Sequence, residues 1–545
     1  MLNPSGMFKK WRGYMTSEKN KENREKTPPP RKKGFFRCIF SRKGKPGESL
    51  FLRILNKIER TGNKLPHPAS LFLIFVLIIM AVSHLVAFLN VTATHPGTGE
   101  TISAVSLLSG DGLRWLYSNL IDNFVSFPPL GVVLAVMLGI GLADGTGLIS
   151  VMLREIVLTA PKRLVTAAVV AAGILSHMAS SAGYVLLVPL GAMIFMAFKR
   201  HPMAGIAAAF AGVSGGFGAN FMIGSIDPVL AGLSESAAHM VDTSVQVTPA
   251  VNFYFAFVSA IMLVFLGTWV TEKFVEPRLG TYEGVSEEVE KVTDLEKKGL
   301  RWAGISLLTV VALFLLFLIP ENGLLRNPET GSILHSPFMS GLVSALMIFF
   351  FVPGLVYGIV VGKIRNDKDV IKLMTNAMKG LAGYIVLVFF AAQFVYCFKE
   401  SNMGILLAIK GAELLKSIGF TGIGLLVAFV VVAAFINLFM GSASAKWAIM
   451  APVFVPMFML VGYHPGVTQA AFRIGDSVTN IITPMMSYFA LIVAFAQKYN
   501  EKYGLGTIIA TMLPYSLIFF LFWSALLTLW MLLGLPIGPG APIAY

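Results

Sequence analysis

An all-α polytopic membrane protein with about nine transmembrane helices, two opposed re-entrant hairpins and an inverted repeat of broken helices is the architecture this sequence predicts. Three observations predict it. The 545-residue chain is 55% hydrophobic and 13% charged, with a mean hydropathy of +0.73, a balance foreign to soluble globular domains. Seven or more runs approach the roughly 20 residues needed to span a hydrocarbon core, among them Ala69 to Leu89, Phe253 to Val270, Gly304 to Leu318 and Ser516 to Leu533. Other apolar runs are interrupted in their middles by Gly, Ser, Pro and ionisable residues, where backbone freed at membrane depth must line a cavity or be buried in protein.

The net charge of +14 is concentrated in the first 60 residues, where Lys and Arg outnumber acids roughly threefold, and in short loops. That distribution speaks for topology, not for nucleic acid, and the basic residues serve as a plain topology anchor or, alternatively, touch anionic lipid head groups. Residues 1–60, with Lys19 to Lys26 and Pro28-Pro29-Pro30-Arg31-Lys32-Lys33, read as a disordered cytoplasmic extension with few residues able to build a core. The N-terminus is long, polar and basic, so no cleavable signal is expected. Cys38 and Cys397 are the only cysteines; two unpaired thiols support neither a disulfide framework nor a metal site.

In chain order, residues 61–280 form a first membrane half. Ala69 to Leu89 leads to an outer loop free of Lys and Arg, and Leu113 to Phe127 is amphipathic, with Trp115 and Tyr117 at interfacial depth. The turn Pro128-Pro129 opens a returning span to Asp144-Gly145. Basic residues Lys162-Arg163 and Lys199-Arg200 bracket a segment broken at Ser176 to Tyr184, so 162–200 reads as a hairpin entering and leaving on the cytoplasmic side. A span broken by glycines and by Asp227-Pro228 covers 204–247, and Phe253 to Val270 returns to a cytoplasmic linker at 281–301. The second half, 302–545, has spans at 302–319, 338–361 and Gly380 to Phe398, and an amphipathic stretch from Met403 to Ile418. A hairpin at 425–460, broken at Gly441 to Trp447 and with largely uncharged flanks, is read as entering from outside. A broken span at 467–497 and a final span then carry the C-terminus to the outer face.

Features recur in the same order about 260 residues apart. Ser180, Tyr184 and Pro189 in the first hairpin match Ser444, Trp447 and Pro452 in the second. In the broken spans, Asn220 stands eight residues before Pro228 and Asp476 eight before Pro484. Inverted repeats with discontinuous helices meeting near the midplane are a recurrent secondary-transporter design.

The chemistry concentrates in Arg473-Ile-Gly-Asp476-Ser-Val-Thr-Asn480-Ile-Ile-Thr-Pro484. An ionised group at bilayer depth costs roughly 2.5 to 3.5 kcal/mol on insertion scales and persists mainly where it faces a cavity or a partner. On a helix, Arg473, Asp476, Asn480, Thr483 and Pro484 share one face. Arg473 suits an anionic substrate, since its fork binds a carboxylate bidentately; alternatively it neutralises Asp476 at i+3. Asp227 and Asp476 are candidates for a proton or cation relay, with helix capping the other role open to Asp227. Ser180, Asn220 and Ser444 lie at breaks whose exposed N–H groups and carbonyls bind ions and carboxylates. Trp447 and Tyr184 offer aromatic faces for an aryl ligand or for packing. Lys446 holds an anion or snorkels, and His177 shuttles protons or serves as a hydrogen-bonded structural residue. No phosphate-cradling Gly-x4-Gly-Lys-Ser/Thr loop is present, so a proton or sodium gradient is expected to drive the protein, with no cofactor. The chain also lacks a convincing nucleophile and base pair for an amidase, and two hairpins favour an occluding carrier over a channel.

Leu65-Pro-His-Pro68, Ala211-Gly-Val-Ser-Gly-Gly216, Ile226-Asp-Pro228, Gly441-Ser-Ala-Ser-Ala445, Tyr463-His-Pro465, the long motif from Arg473 to Tyr488 and Gly538-Pro-Gly-Ala-Pro542 together resemble the AbgT family of p-aminobenzoyl-glutamate transporters over roughly residues 55–545. The resemblance implies a bacterial inner-membrane homodimer, multi-pass, with nine spans and two hairpins per subunit. It implies movement of p-aminobenzoyl-glutamate, a folate breakdown product, and in some members proton-driven efflux of sulfonamide antimetabolites. By motif match it implies site roles for Asp227, Ser444, Trp447, Pro465, Arg473, Asp476 and Pro484. Two departures stand out: the basic extension before residue 55, and Ser181 where family members can carry an acidic residue.

Overall fold

The computed structural model describes residues 66–94, 99–179, 183–280, 282, 291–333 and 336–545; the extension at 1–60 and Ser180 and Ser181 of the first hairpin lie outside these. Helix α1 (Pro68–Phe88) starts on a proline behind the His67 cap, as a helix entering apolar surroundings without acidic residues can. Its outward side chains are apolar and exposed, Leu77 at 58% for example, while the charged Lys446, Arg473 and Asp476 are at most 4% exposed. This inversion of soluble-protein burial is what a lipid environment requires. Eight helices among the described residues are long and apolar enough to cross a membrane.

A two-stranded ladder, β1 (Thr92–Thr94) with β2 (Thr101–Ser103), decorates the loop after α1. Helices α2 (Gly110–Val125) and α3 (Pro128–Thr146) meet at the double proline, and α4 (Leu148–Leu158) follows the left-handed Gly147. The first hairpin comprises α5 (Val165–Leu175), a tightened turn Ser176–Ala179, a wide turn Gly183–Leu187 and α6 (Val188–Ala197). The helix pair Leu148–Leu158 and Lys162–Leu175 is bent by 116° where the hairpin begins. Its base is clamped: Arg200 bonds Glu276 at 2.6 and 2.8 Å and Thr166 at 2.8 Å.

The first broken helix runs as α7 (Pro202–Phe210) through Ala211–Gly215, loses helical form at 216–226 and resumes as α8 (Asp227–Ala238). Helix thus ends at Ala238, short of the 247 expected. Helix α9 (Phe253–Val270) continues through a wide turn into α10 (Glu276–Leu279).

Part of the stretch read as a linker at 281–301 is helical, because α11 (Asp294–Leu318) begins there. Thr293 and Glu296 cap its N-terminus reciprocally, the Glu296 amide donating to Thr293 Oγ1 at 3.2 Å and the Thr293 amide to Glu296 Oε2 at 2.8 Å. The same Glu296 accepts Arg154 of α4 at 2.8 Å, which ties the helix start to the first half.

Then come α12 (Pro337–Ser340), α13 (Leu342–Val360), the amphipathic α14 (Asp367–Gly380), α15 (Ala382–Glu400) and α16 (Met403–Ser417). The second hairpin is α17 (Ile423–Asn437) and α18 (Ala443–Val461). The second broken helix is α19 (Pro465–Asn480) and α20 (Phe489–Gln497), and α21 (Leu505–Leu532) ends the bundle. The pairs α17 with α19, and α8 with α18, are packed together, so each broken helix lies against the second hairpin.

The two breaks are not superimposable. Asn220 lies inside the first break and Pro228 is the second residue of the second half-helix, whereas Asp476 lies within α19 and Pro484 sits in the middle of the break at 481–488. The eightfold spacing shared in sequence therefore marks related segments, not equivalent backbone positions.

Candidate functional site

All four discontinuities converge. A cavity of about 220 Å³ takes His177 and Tyr184 from the first hairpin, Ser225 and Ile226 from the first break, Gly441 and Ala443 from the tip of the second hairpin, and Asn480 and Tyr488 from the second break. The close approach is made by glycine: a Cβ on Gly218 would stand 2.7 Å from the Arg473 carbonyl and from Ser477 Oγ. With no side chain there, the Gly218 amide donates to Ser477 Oγ at 2.6 Å, and the first break nests on α19.

Behind the cavity lie two buried ion pairs. Arg473 of α19 pairs through its NH1 nitrogen with Oδ1 of Asp227, the first residue of α8. Asp227 Oδ2 accepts the Gly224 amide at 2.6 Å, a carboxylate set where a helix N-terminus favours negative charge. Asp227 is thus an ion-pair partner of Arg473 and ties down the turn before α8, whose N-cap residue is Ile226 and carries no side-chain cap bond. Lys446 pairs with Asp476 and also donates to Asn437 Oδ1. Arg473 and Asp476 do share a face, yet each finds its partner on another element.

Asn437 organises the second pair. Its Nδ2 reaches the Asp476 carbonyl at 2.6 Å, Thr479 Oγ1 at 2.9 Å and Asn480 Oδ1 at 2.9 Å. Asn480 in turn donates to Asp476 Oδ2 at 3.1 Å. It therefore touches the cavity on one side and the ion pair on the other. Thr483, turned back by the following Pro484, donates to the Leu438 carbonyl at 3.1 Å, which joins the second break to the hairpin tip.

The remaining residues proposed from sequence are dispersed. Asn220 is 3% exposed in the first break, with Oδ1 unpartnered. Ser444 is half-buried on the first turn of α18, its hydroxyl 3.3 Å from that of Ser442. Pro484 lies half-buried in the second break. Pro465 begins α19, fifteen residues and so about 22 Å of helix rise from Asn480. Trp447 does not line the cavity. Its fully buried ring stacks on Phe472 at 4.5 Å, and Nε1 donates to the Leu230 carbonyl at 3.2 Å and Ser234 Oγ at 3.0 Å.

Two residues of the cluster escaped the sequence reading. Asn437 is a polar residue closing an apolar run four positions before Gly441, a legible signal of a helix end inside the membrane. Tyr488 closes the long motif, and nothing local marks it as facing Tyr184, on which it stacks at 4.6 Å and 10°.

Helices broken at depth, charges paired inside them and a cavity at their meeting point define a secondary transporter. Residues 53–545 match the profile of the AbgT putative transporter family, and the chain belongs to that family. The p-aminobenzoyl-glutamate transport protein of Escherichia coli K12 is 40% identical over 496 residues, which is 91% of this chain and 98% of that one. The Alcanivorax borkumensis YdaH transporter, solved and described as having an unusual topology, is 47% identical with a TM-score of 0.84, over 87% of this chain and all of that one. Neisseria gonorrhoeae MtrF, of a class of antimetabolite efflux pumps, is 46% identical with a TM-score of 0.85, over 90% of this chain and all of its own.

Proposed function

We propose that the protein carries p-aminobenzoyl-glutamate and related aryl carboxylates across the bacterial inner membrane, driven by the proton gradient. The observation that carries this reading is the pair of buried ion pairs behind a cavity shared by all four discontinuities. A carboxylate that exchanges a fixed cation for a proton as its surroundings open and close converts a proton gradient into a conformational bias. The bond from Asn480, a residue of the cavity wall, to Asp476 supports giving Asp476 this role. The 40% identity with the p-aminobenzoyl-glutamate transport protein of Escherichia coli supports the cargo. Likeness to an antimetabolite efflux pump supports a second direction, export of sulfonamides through the same site. The basic N-terminal residues favour a cytoplasmic N-terminus, with the C-terminus on the outer face, and the family resemblance extends the reading to a homodimer.

The test is transport of radiolabelled p-aminobenzoyl-glutamate and sulfamethazine in proteoliposomes, with a pH gradient of either sign and with or without sodium. Accumulation that follows the proton gradient supports the reading and sets the direction. Flux indifferent to both gradients would make the protein a facilitator and remove the coupling role of Asp227 and Asp476.

A further inference from the structure

The cavity contains a feature that the charged centre does not explain: among the described residues its lining has no Asp, Glu, Lys or Arg. A carboxylate placed there would meet no cationic side chain in that lining and would depend on helix-end N–H groups alone, whereas an uncharged ring carries no such requirement. Part of the wall is aromatic, formed by His177, Tyr184, Phe217 and Tyr488. Tyr184 and Tyr488 stack at 4.6 Å, and His177 stands edge-on to Phe217 at 5.2 Å and 89°. Polar capacity remains unspent within this wall. His177 is 4% exposed and its Nε2 has no hydrogen-bond partner, which in a buried imidazole is a cost that a ligand can relieve. Asn480 uses one amide proton on Asp476 and its oxygen on Asn437, leaving its second proton free of those bonds.

From these observations we infer that the cavity is the binding slot for the neutral aryl-amine or aryl-amide part of the cargo, walled by Tyr184 and Tyr488 and hydrogen-bonded by His177 and Asn480. The inference rests on the proposed function for the identity of that cargo. A p-aminophenyl group is common to p-aminobenzoyl-glutamate and the sulfonamides, so one uncharged slot serves both. Carboxylates, where the cargo has them, are excluded from this slot and belong to the surrounding helix ends. Because Asn480 touches both the slot and Asp476, occupancy by the ring is felt at the Lys446–Asp476 pair.

The probe is p-aminobenzamide, which has the aryl part and no carboxylate, titrated calorimetrically into the purified full-length protein. Tyr488→Leu and His177→Phe are each expected to weaken it by about tenfold or more, as loss of a stacking or buried hydrogen-bonding partner does, and Tyr488→Phe to retain it. No binding by the unaltered protein, or unaltered affinity in both variants, overturns the slot. A second measurement needs no variant: p-azidobenzamide, photolysed on the unaltered protein, is expected to label peptides containing Tyr184 or Tyr488, and labelling confined to the Trp447 peptide overturns the assignment. If p-aminobenzamide binds as described while p-aminobenzoyl-glutamate is not transported, the proposed cargo fails and the slot stands.

Discussion

Asp227 and Arg473, 246 positions apart, form a buried ion pair that joins the two broken helices of the repeat. The Arg473 and Asp227 side chains are only 5% and 7% exposed, so neither charge is compensated by water. Removing one member should strand the other: Asp227→Asn is expected to destabilise the protein by about 3–5 kcal/mol. Asp227→Asn combined with Arg473→Met should be more stable than Asp227→Asn alone, the signature of a direct coupling. Thermal melting in detergent measures both, and a double variant no more stable than the single one would refute the pair's energetic role.

Asp476→Asn keeps the shape of the side chain and its bonds to Asn480 while removing the charge. Accumulation driven by an imposed proton gradient should be lost, with a lowered melting temperature from the stranded Lys446 but the gel-filtration profile of a folded protein. Normal pH-driven flux in this variant would take Asp476 out of the coupling path.

Trp447 fills space between α8 and α19, so Trp447→Ala should lower stability by about 3–5 kcal/mol through the cavity left behind. Trp447→Phe preserves packing on Phe472 and forfeits the Nε1 bonds to Leu230 and Ser234, a loss of roughly 1 kcal/mol. If Trp447→Phe melts like the unaltered protein yet binds aryl ligands tenfold more weakly, Trp447 is a ligand platform after all.

A Cβ on Gly475 would stand 2.4 Å from the Val430 carbonyl and 2.7 Å from Ala433 Cβ. Gly475→Ala must therefore push α17 away, and with it Asn437 and the grip on Lys446. A cost of about 1–3 kcal/mol and reduced transport are expected. Gly304→Ala, where nothing lies within 4 Å of the new Cβ, should instead be neutral or slightly stabilising, and equal effects of the two would show that close approach is not the cause.

Outside the spans, Asp242 accepts the Ser244 hydroxyl at 2.7 Å and the C-terminal Tyr545 hydroxyl at 2.9 Å. These bonds, Ser244 first, hold its carboxyl below the ordinary value. A depressed carboxyl contributes above its ordinary value of about 4 and loses that contribution as pH falls through the lowered one. The protection of residues 541–545 against hydrogen exchange, corrected for the intrinsic pH dependence of amide exchange, should therefore fall in acid, and Asp242→Asn should remove that fall; an unchanged profile would show that this tie does not hold the C-terminus.

Much of this was legible along the chain because the responsible forces are local. Burial of about 20 apolar residues, the bracketing of a span by Lys and Arg, and helix breakage at Gly and Pro each depend on neighbours in sequence. The helix start at Asp294 was legible too, in Thr293 and Glu296, although hydropathy alone set the boundary later. Ordered polar interruptions revealed the hairpins and the duplicated breaks.

What the sequence determined by itself is that ionisable and polar residues interrupt a membrane bundle twice over, in two matching sets. It could not determine the partners. Asp476 has Arg473 three positions away on its own helix, yet takes Lys446, while Arg473 takes Asp227 from the other repeat. Trp447 likewise carries the aromatic face that sequence assigns to a ligand, and packing spends it on Phe472, leaving Tyr184 and Tyr488 to wall the cavity. The physical reason is that Coulombic and stacking energies depend on distance in space and on the exclusion of water, and only the packing of one break against the other sets those.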